Sequence, residues 1–555
     1  MSPSRPQVIG FMISHIFNSY ARLLLRGLQD EVAHQNALHP GRCRLLVFKG
    51  NILRTPFNNM ARENVIYHSI RPAALDALIV PANIYSTHMP VADLLPLVRA
   101  YQVPVTVTTG LELEGYPAVV MDPGTRMTEL VTHLVEKHGC RRLAFLTGPQ
   151  TSADSAIRFQ AFRQVLADHN LPLPPEHILP GDFSFYNTRS LLEQRFRGRK
   201  PTFDALVCAN DEMAVEALMF FQENGQRIPQ DLAVTGLDDI DQASLVLPQL
   251  TTIREPVAEM GAKAVQVVLE LLDARRRGSL PVAAVHRLPT SLRLRSSCGC
   301  LARLESHGTE APVALTVPFE AAMLEPGKKQ EAFLLAFQRF VEDRIRAGDD
   351  AVHLQGQVFS FRTRVLREWA EQVTPRNITD LLAEMQKIVT SLSQLVYTRY
   401  QEDSEELMRG MRATVRMEQL LEWADIEREL LVWLPKLGLR ELVLVVYPGS
   451  VDCPDENEWR FPAQALVRFA WVASEHLRLT VDQATFSPAA QLLPDALLEG
   501  EGEPQLVVNV LSYAGQQFGY YLYDATRLSA LAAELLRVNL KNLLQNHMLH
   551  HRTNA

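Results

Sequence analysis

Acidic, amide and guanidinium side chains placed just after apolar runs are the groups in this sequence best suited to chemistry. Asp238 and Asp239 follow the run Ala233 to Leu237, and Asn210 with Asp211 follow Ala205 to Cys208. Their oxygens accept hydrogen bonds from ligand hydroxyls or amines. In an open α/β sheet, ligands gather beyond the carboxyl ends of the strands, so a site is expected at these positions. Arg158 follows the strand Arg142 to Leu146 near the start of a helix and adds a planar fork for a hydroxyl pair or a carboxylate. A polar residue after a strand more often caps a helix or faces water, and Asp239 is expected to cap or bridge.

Signatures of enzyme chemistry are missing. The sequence has no GK[ST] phosphate loop, no HExxH, no CxxC and no GxSxG, so neither catalysis nor a cofactor is expected. Cys298-Gly299-Cys300 is a close cysteine pair, but with one residue between and no second pair it makes a poor zinc site. His547 and His551 have the i, i+4 spacing of helical metal ligands. With His550 they read as a solvated chain end, and no metal is expected.

The elements that would carry these groups alternate in the first 300 residues. Strands are expected at Gln7–Ile13, Arg44–Phe48, Ala77–Val80, Val105–Thr108, Ala118–Met121, Arg142–Leu146, Ala205–Cys208 and Ala233–Leu237. Helices are expected at Tyr20–Glu31, Met127–Lys137, Ile157–Asp168 and Glu212–Asn224, the last ended by Gly225. That many strands fit two similar α/β lobes. Residues 298–327 read as a linker. Residues 328–428 read as a helical connector, with Leu381, Leu382, Met385, Ile388, Val389 and Leu392 on one apolar stripe. Strands return at Leu442–Tyr447, Leu466–Val472, Leu506–Ser512 and Gln517–Tyr523, the last two forming a hairpin across Ala514-Gly515, and a helix closes the chain from Thr526 to Leu549.

Four ordered segments resemble the effector-binding core of the lactose-repressor (LacI/GalR) family. They are LDALIVPA at 75–82, HLVEKHGCRRLAFLTGP at 133–149 with SADSAIRFQAF at 152–162, FDALVCANDEMAVEAL at 203–218, and GQRIPQDLAVTGLDDIDQASLVLPQLTTIREPVAEMGAKAV at 225–265. The resemblance covers residues 6–297 and implies the two-lobed fold of type I periplasmic binding proteins. It implies that Arg158, Asp238 and Asn210 reach into the cleft between the lobes, and that Phe183 of GDFSF stacks on the ligand. Phe17, Asn18 and Tyr20, after the first strand, are weaker contacts, because the family's Asn-Pro-Phe-Phe is replaced there by IFNSY. Arg158 sits before Ala161 where the family has glycine, and Leu237 replaces the usual aromatic before Asp238. Residues 429–550 resemble a GAF-type sensor domain, chiefly through LVVNVLSYAGQQFGYYLYD at 506–524.

Composition bounds the function. At 555 residues, 47% hydrophobic and 21% charged, the chain is expected to fold as two to four soluble domains. No apolar run reaches the roughly 18 residues of a membrane span. Six scattered cysteines read as reduced thiols, and without a signal-peptide pattern at its start the protein is expected in the cytoplasm. Residues 1–300 carry 30 Lys+Arg against 28 Asp+Glu, and residues 301–555 carry 25 against 35. Neither balance is the basic footprint of a nucleic-acid binder. With the first strand beginning near Gln7, no helix-turn-helix headpiece is expected either. The reading is therefore a homodimeric, non-enzymatic sensor of a small, sugar-like polar metabolite, relaying lobe closure through the connector to transcription or to a signalling partner. Direct DNA binding through another module is left open, as is a role as the input half of a diguanylate cyclase or histidine kinase.

Overall fold

A computed structural model describes residues 5–14, 19–54, 62–279, 284–300, 422–437, 439–452, 459–472, 485–494, 505–513, 516–524 and 530–553. The expected linker and helical connector fall mainly in residues 301–421, outside the described residues, as do Phe17 and Asn18.

Lobe I is built on a parallel sheet. Its strands are β1 (Gln7–Ile13), β2 (Cys43–Lys49), β3 (Ala77–Pro81), β4 (Val105–Thr109) and β5 (Ala118–Met121). All are buried along their whole length except at Val8 of β1, as expected of strands covered on both faces. Helix α1 (Ser19–Leu38) follows β1, and the short α2 (Ala82–Tyr85) and α3 (Val91–Ala100) follow β3. Lobe II carries β6 (Leu143–Leu146), β7 (Ile178–Leu179), β8 (Ala205–Cys208) and β9 (Ala233–Thr235) in the order β7-β6-β8-β9, all parallel. Around it stand α4 (Pro123–Lys137), α5 (Ala153–Asp168), α6 (Phe185–Phe196), α7 (Asp211–Glu223) and the short α8 (Asp241–Leu245). The helices start where the sequence supplies caps. Asp122 accepts from Gly124 N and Thr125 N, Ser152 from Ser155 N, Ser184 from Asn187 N, and Asn210 from Met213 N.

Among the described residues 5–300 the chain crosses between lobes three times. It passes from β5 into α4, from β10 (Thr252–Arg254) through Glu255 into α9 (Val257–Arg276), and from β11 (Val285–Leu288) to β12 (Ser291–Arg293). β11 adds to the edge of lobe I beside β5, whereas β12 pairs with β10. Helix α9 returns to lobe I and packs on α1 so closely that a Cβ on Gly27 would lie 1.8 Å from the Ala258 carbonyl oxygen. Backbone contact of this kind excludes every side chain larger than hydrogen.

The C-terminal strands, expected in a domain of their own, are hydrogen-bonded into the lobe I sheet. Helix α10 (Trp423–Trp433) leads into β13 (Glu441–Asp452), β14 (Ala465–Val472), β15 (Thr485–Phe486), β16 (Gln505–Tyr513) and β17 (Gln516–Asp524), and α11 (Ala530–Thr553) closes the chain. Among themselves these strands are antiparallel, with β16 and β17 forming the expected hairpin. β16 also runs parallel to β2, with Leu506 opposite Leu46 and Val507 opposite Val47. Eleven described strands thus make one sheet, ordered β11-β5-β4-β3-β1-β2-β16-β17-β13-β14-β15.

Both faces of the junction are apolar. On one, Leu45 and Val47 share a core with Val507, Trp433, Leu536 and Leu540; on the other, Leu46 and Phe48 share one with Val508, Tyr447 and Tyr520. Gln505 Nε2 donates to the Gln29 carbonyl at 2.8 Å, and Arg537 meets Glu63 at 3.5 Å. No helix among the described residues is long and apolar enough to cross a membrane.

Candidate ligand-binding site

The expected arginine lies at the centre of a buried polar cluster between the lobes. Arg158 projects from the second turn of α5 and is 5% exposed. Its Nη1 donates to the Ala209 carbonyl at 2.6 Å. Its Nη2 stands 3.3 Å from Glu255 Oε1 and 3.8 Å from Asp238 Oδ1. Its Nε is buried without a partner among the described residues. Burial pushes the Asp238 and Glu255 carboxyls upward, and the guanidinium between them draws both back. The two carboxylates in turn raise Arg158, which stays protonated. One guanidinium facing two acids leaves an excess of acceptors, suited to a ligand that brings hydroxyl donors.

Lobe I supplies the opposing wall. Tyr20, in the first turn of α1, accepts from Asn83 Nδ2 at 2.9 Å, which leaves its own hydroxyl free to donate. Burial, then the charges of Glu255 and Asp154, hold that phenol far above its ordinary pKa. Asn83 also reaches Asp154 of lobe II at 3.3 Å, while its buried Oδ1 finds no partner among the described residues. Thr151 adds another link across the cleft by donating to the Thr87 carbonyl. Unsatisfied buried polar atoms are costly, and Arg158 Nε and Asn83 Oδ1 mark where a ligand would repay that cost.

Backbone strain gathers here too. Asp238, Asp239 and Phe183 have φ values of 126°, 60° and 68°, a region that side-chain-bearing residues rarely adopt. The Asp238 amide is held by the Ile253 carbonyl at 2.9 Å, which turns its carboxylate toward Arg158. The Phe183 ring lies against Gly148, with the Arg158 guanidinium 5.9 Å from its centroid. Asp239 bridges, as expected, to Arg295 at 2.6 Å.

Several sequence expectations are refined. Tyr20, Arg158 and Asp238 converge, with Phe183 against the arginine. Asn210 caps α7 through Oδ1 and ties down the Phe183 carbonyl through Nδ2 at 3.2 Å, so its main work is to hold the Phe183 loop. Asp211 is fully buried; it accepts from Ile240 N and Thr252 Oγ1, and burial pushes its pKa up to about 7. Glu255, Asn83 and Asp154 are absent from the sequence reading. Glu255 directly follows a strand, the signal used for Asp238, but that strand is three residues long.

At the far end of lobe II, the sequence offered Cys298 and Cys300 no second cysteine pair. The fold brings two histidines to them instead. His133 Nε2 lies 3.1 Å from Cys300 Sγ and 3.1 Å from His138 Nε2.

This architecture and this cleft define a two-lobed α/β core of the type I periplasmic-binding-protein class. Residues 131–298 match the family model of the periplasmic binding protein-like domain. The HTH-type transcriptional repressor PurR of Aliivibrio fischeri (strain MJ11) is 36% identical over 151 residues, 26% of this chain and 44% of that protein. The ribose operon repressor of Escherichia coli (strain K12) is 29% identical over 212 residues, 38% of this chain and 62% of that protein. The chain thus spans about half the length of these curated relatives. A solved structure, the transcriptional regulator CelR-cellobiose complex, aligns over 53% of this chain and 86% of that chain, at 21% identity and a TM-score of 0.43.

Proposed function

We propose that this protein is a non-enzymatic, ligand-sensing regulator whose two lobes close on a small polyhydroxylated metabolite. The observation that carries the reading is the buried Arg158, set between Asp238 and Glu255 and faced from lobe I by Tyr20 and Asn83. A diol spans a guanidinium and a carboxylate, donating to Asp238 or Glu255 and accepting from Arg158 and Tyr20. Phe183 covers an apolar ring face. Because these residues come from both lobes, a ligand touching all of them favours the closed arrangement by its differential contacts. The similarity to a ribose operon repressor supports a sugar over an apolar ligand.

We read the C-terminal unit as GAF-like. In support, α10 and α11 cover one face of its sheet, and Trp423 meets His547 at 5.9 Å between ring centroids. Output then passes through the connector at residues 328–428 to transcription or to a signalling partner, with a homodimer as the working unit in the cytoplasm.

The test is a thermal-shift screen of the full chain against pentoses, hexoses, nucleosides and purines, followed by calorimetry. Binding to the folded state at 100 times Kd adds about 2.7 kcal/mol of stability, a readily measured rise in Tm. Asp238→Asn and Phe183→Ala should weaken the hit by about tenfold or more while leaving the unliganded Tm nearly unchanged. A panel without a hit, or a hit unaffected by both substitutions, would count against the reading.

A further inference from the structure

We propose that His133, His138, Cys298 and Cys300 form a tetrahedral zinc site that fastens the end of the two-lobed core to helix α4. Their ligand atoms all lie within 4.8 Å of one another. His133 Nε2 is 3.1 Å from His138 Nε2, 3.1 Å from Cys300 Sγ and 3.9 Å from Cys298 Sγ, and His138 Nε2 is 3.3 Å from Cys300 Sγ. A zinc ion with Zn–N near 2.05 Å and Zn–S near 2.3 Å, in tetrahedral geometry, requires N···N of about 3.4 Å and N···S of about 3.5 Å. His133 Nε2, His138 Nε2 and Cys300 Sγ already stand at about that spacing, and Cys298 Sγ, within 4.8 Å of the other three, closes the shell by a small side-chain rotation.

Hydrogen bonding among the four does not account for the arrangement. Each imidazole Nε2 offers one in-plane proton or one lone pair, and a thiol offers one proton. Three atoms mutually within 3.3 Å would need a closed triangle of bonds, which these valences cannot supply with linear geometry. A central cation uses one lone pair from each atom and satisfies all of them. Two thiolates and two neutral imidazoles make a closed donor set with no open position, the pattern of a structural zinc rather than a catalytic one.

The local fold prepares the shell. His133 lies in the last turns of α4, and His138 is its C-cap residue. Gly299, at φ 100°, turns the chain so that Cys298 and Cys300 face the same point, and a Cβ there would press within 3.4 Å of the His138 ring. Thr251 Oγ1 donates to Cys298 Sγ at 3.1 Å, the outer-shell bond that a thiolate ligand favours. Thr251 also accepts from Arg295 N at 2.8 Å, and Arg295 holds Asp239. The metal site is thereby tied, through one loop, to the residue beside Asp238.

The test uses the full chain, purified under reducing conditions and dialysed free of loose metal. It should retain about one zinc per chain by mass spectrometry. Titration of the stripped protein with cobalt should give intense visible d–d bands and a near-ultraviolet thiolate charge-transfer band, which zinc then abolishes. Cys300→Ser with His133→Gln should lose the metal, whereas Cys43→Ala, in lobe I, should retain it. Protein that holds no zinc and gives only the pale spectrum of octahedral cobalt overturns the proposal. So does a Cys300→Ser, His133→Gln variant that keeps the wild-type metal content. The cobalt spectrum of the unaltered protein decides the matter even where a variant fails to fold.

Discussion

Arg158 Nη2 stands 3.3 Å from Glu255 Oε1, with both side chains buried, and only the second of the two residues lies on a crossing between the lobes. Arg158 belongs to a helix of lobe II, whereas Glu255 belongs to the strap that returns to lobe I. The ion pair therefore fixes the hinge as well as the floor of the cleft. Removing one partner of a buried pair strands the other charge, at a cost of about 3–5 kcal/mol. Arg158→Met should lower stability by that order in urea titrations at neutral pH. In a double-mutant cycle with Glu255→Gln, the loss should be partly recovered, since the stranded acid is then gone. Full additivity of the two losses would show that the contact carries no coupling.

A second prediction concerns pH. Burial raises the Asp211 carboxyl to about 7, far above its value in an unfolded chain. The folded state then binds the extra proton, so stability falls as pH rises from about 4 through about 7, with a slope of up to about 1.4 kcal/mol per pH unit. Asp211→Asn should flatten that fall. Its amide oxygen still accepts from Ile240 N, and the Thr252 hydroxyl can turn to accept from Nδ2. Urea midpoints from pH 5 to 8 that show the same slope in the variant and the parent would refute this.

The junction between β2 and β16 gives a third. A fragment of residues 1–300 loses the partner of β2 along Leu45–Phe48 and uncovers apolar side chains on both faces of that strand. Unpaired apolar edges recruit other chains. Light scattering after size exclusion should find this fragment forming, with rising concentration, assemblies larger than the full chain's. A monodisperse, monomeric fragment would mean that the C-terminal strands contribute little cover.

Helix contact supplies a fourth. Gly27→Ala places a methyl group against the Ala258 backbone, which cannot yield as a side chain would. The expected loss is about 3 kcal/mol, at the upper end for overpacking, read as a lower Tm. Because α1 also carries Tyr20, ligand affinity should fall with it.

Local features of the fold were legible in the sequence. β1, β5 and β8 lie where apolar runs mark them, and Gly225 ends α7 with φ at 79°. Arg158 and Asp238 were legible because each sits in a motif whose neighbours fix its direction. Glu255 was not, since Thr252–Arg254 holds a single apolar residue and gives no run to read, unlike the Ala233–Leu237 stretch before Asp238. His133 and Cys300 stand 167 residues apart, and Gln505 and Gln29 stand 476 apart. Pairings at such separation come from how lobes and sheets close, which no local window records. Asn210 shows the reverse: its place after a strand suggested a ligand contact, but the backbone of α7 uses its oxygen first.

One consequence follows from the sheet that β2 and β16 share. Cys300 lies at the end of lobe II, and α10, which begins at Trp423, packs on the enlarged lobe I body. Any change in the angle between the halves therefore alters the distance from Cys300 to Trp423, a span that measures how far the cleft has shut.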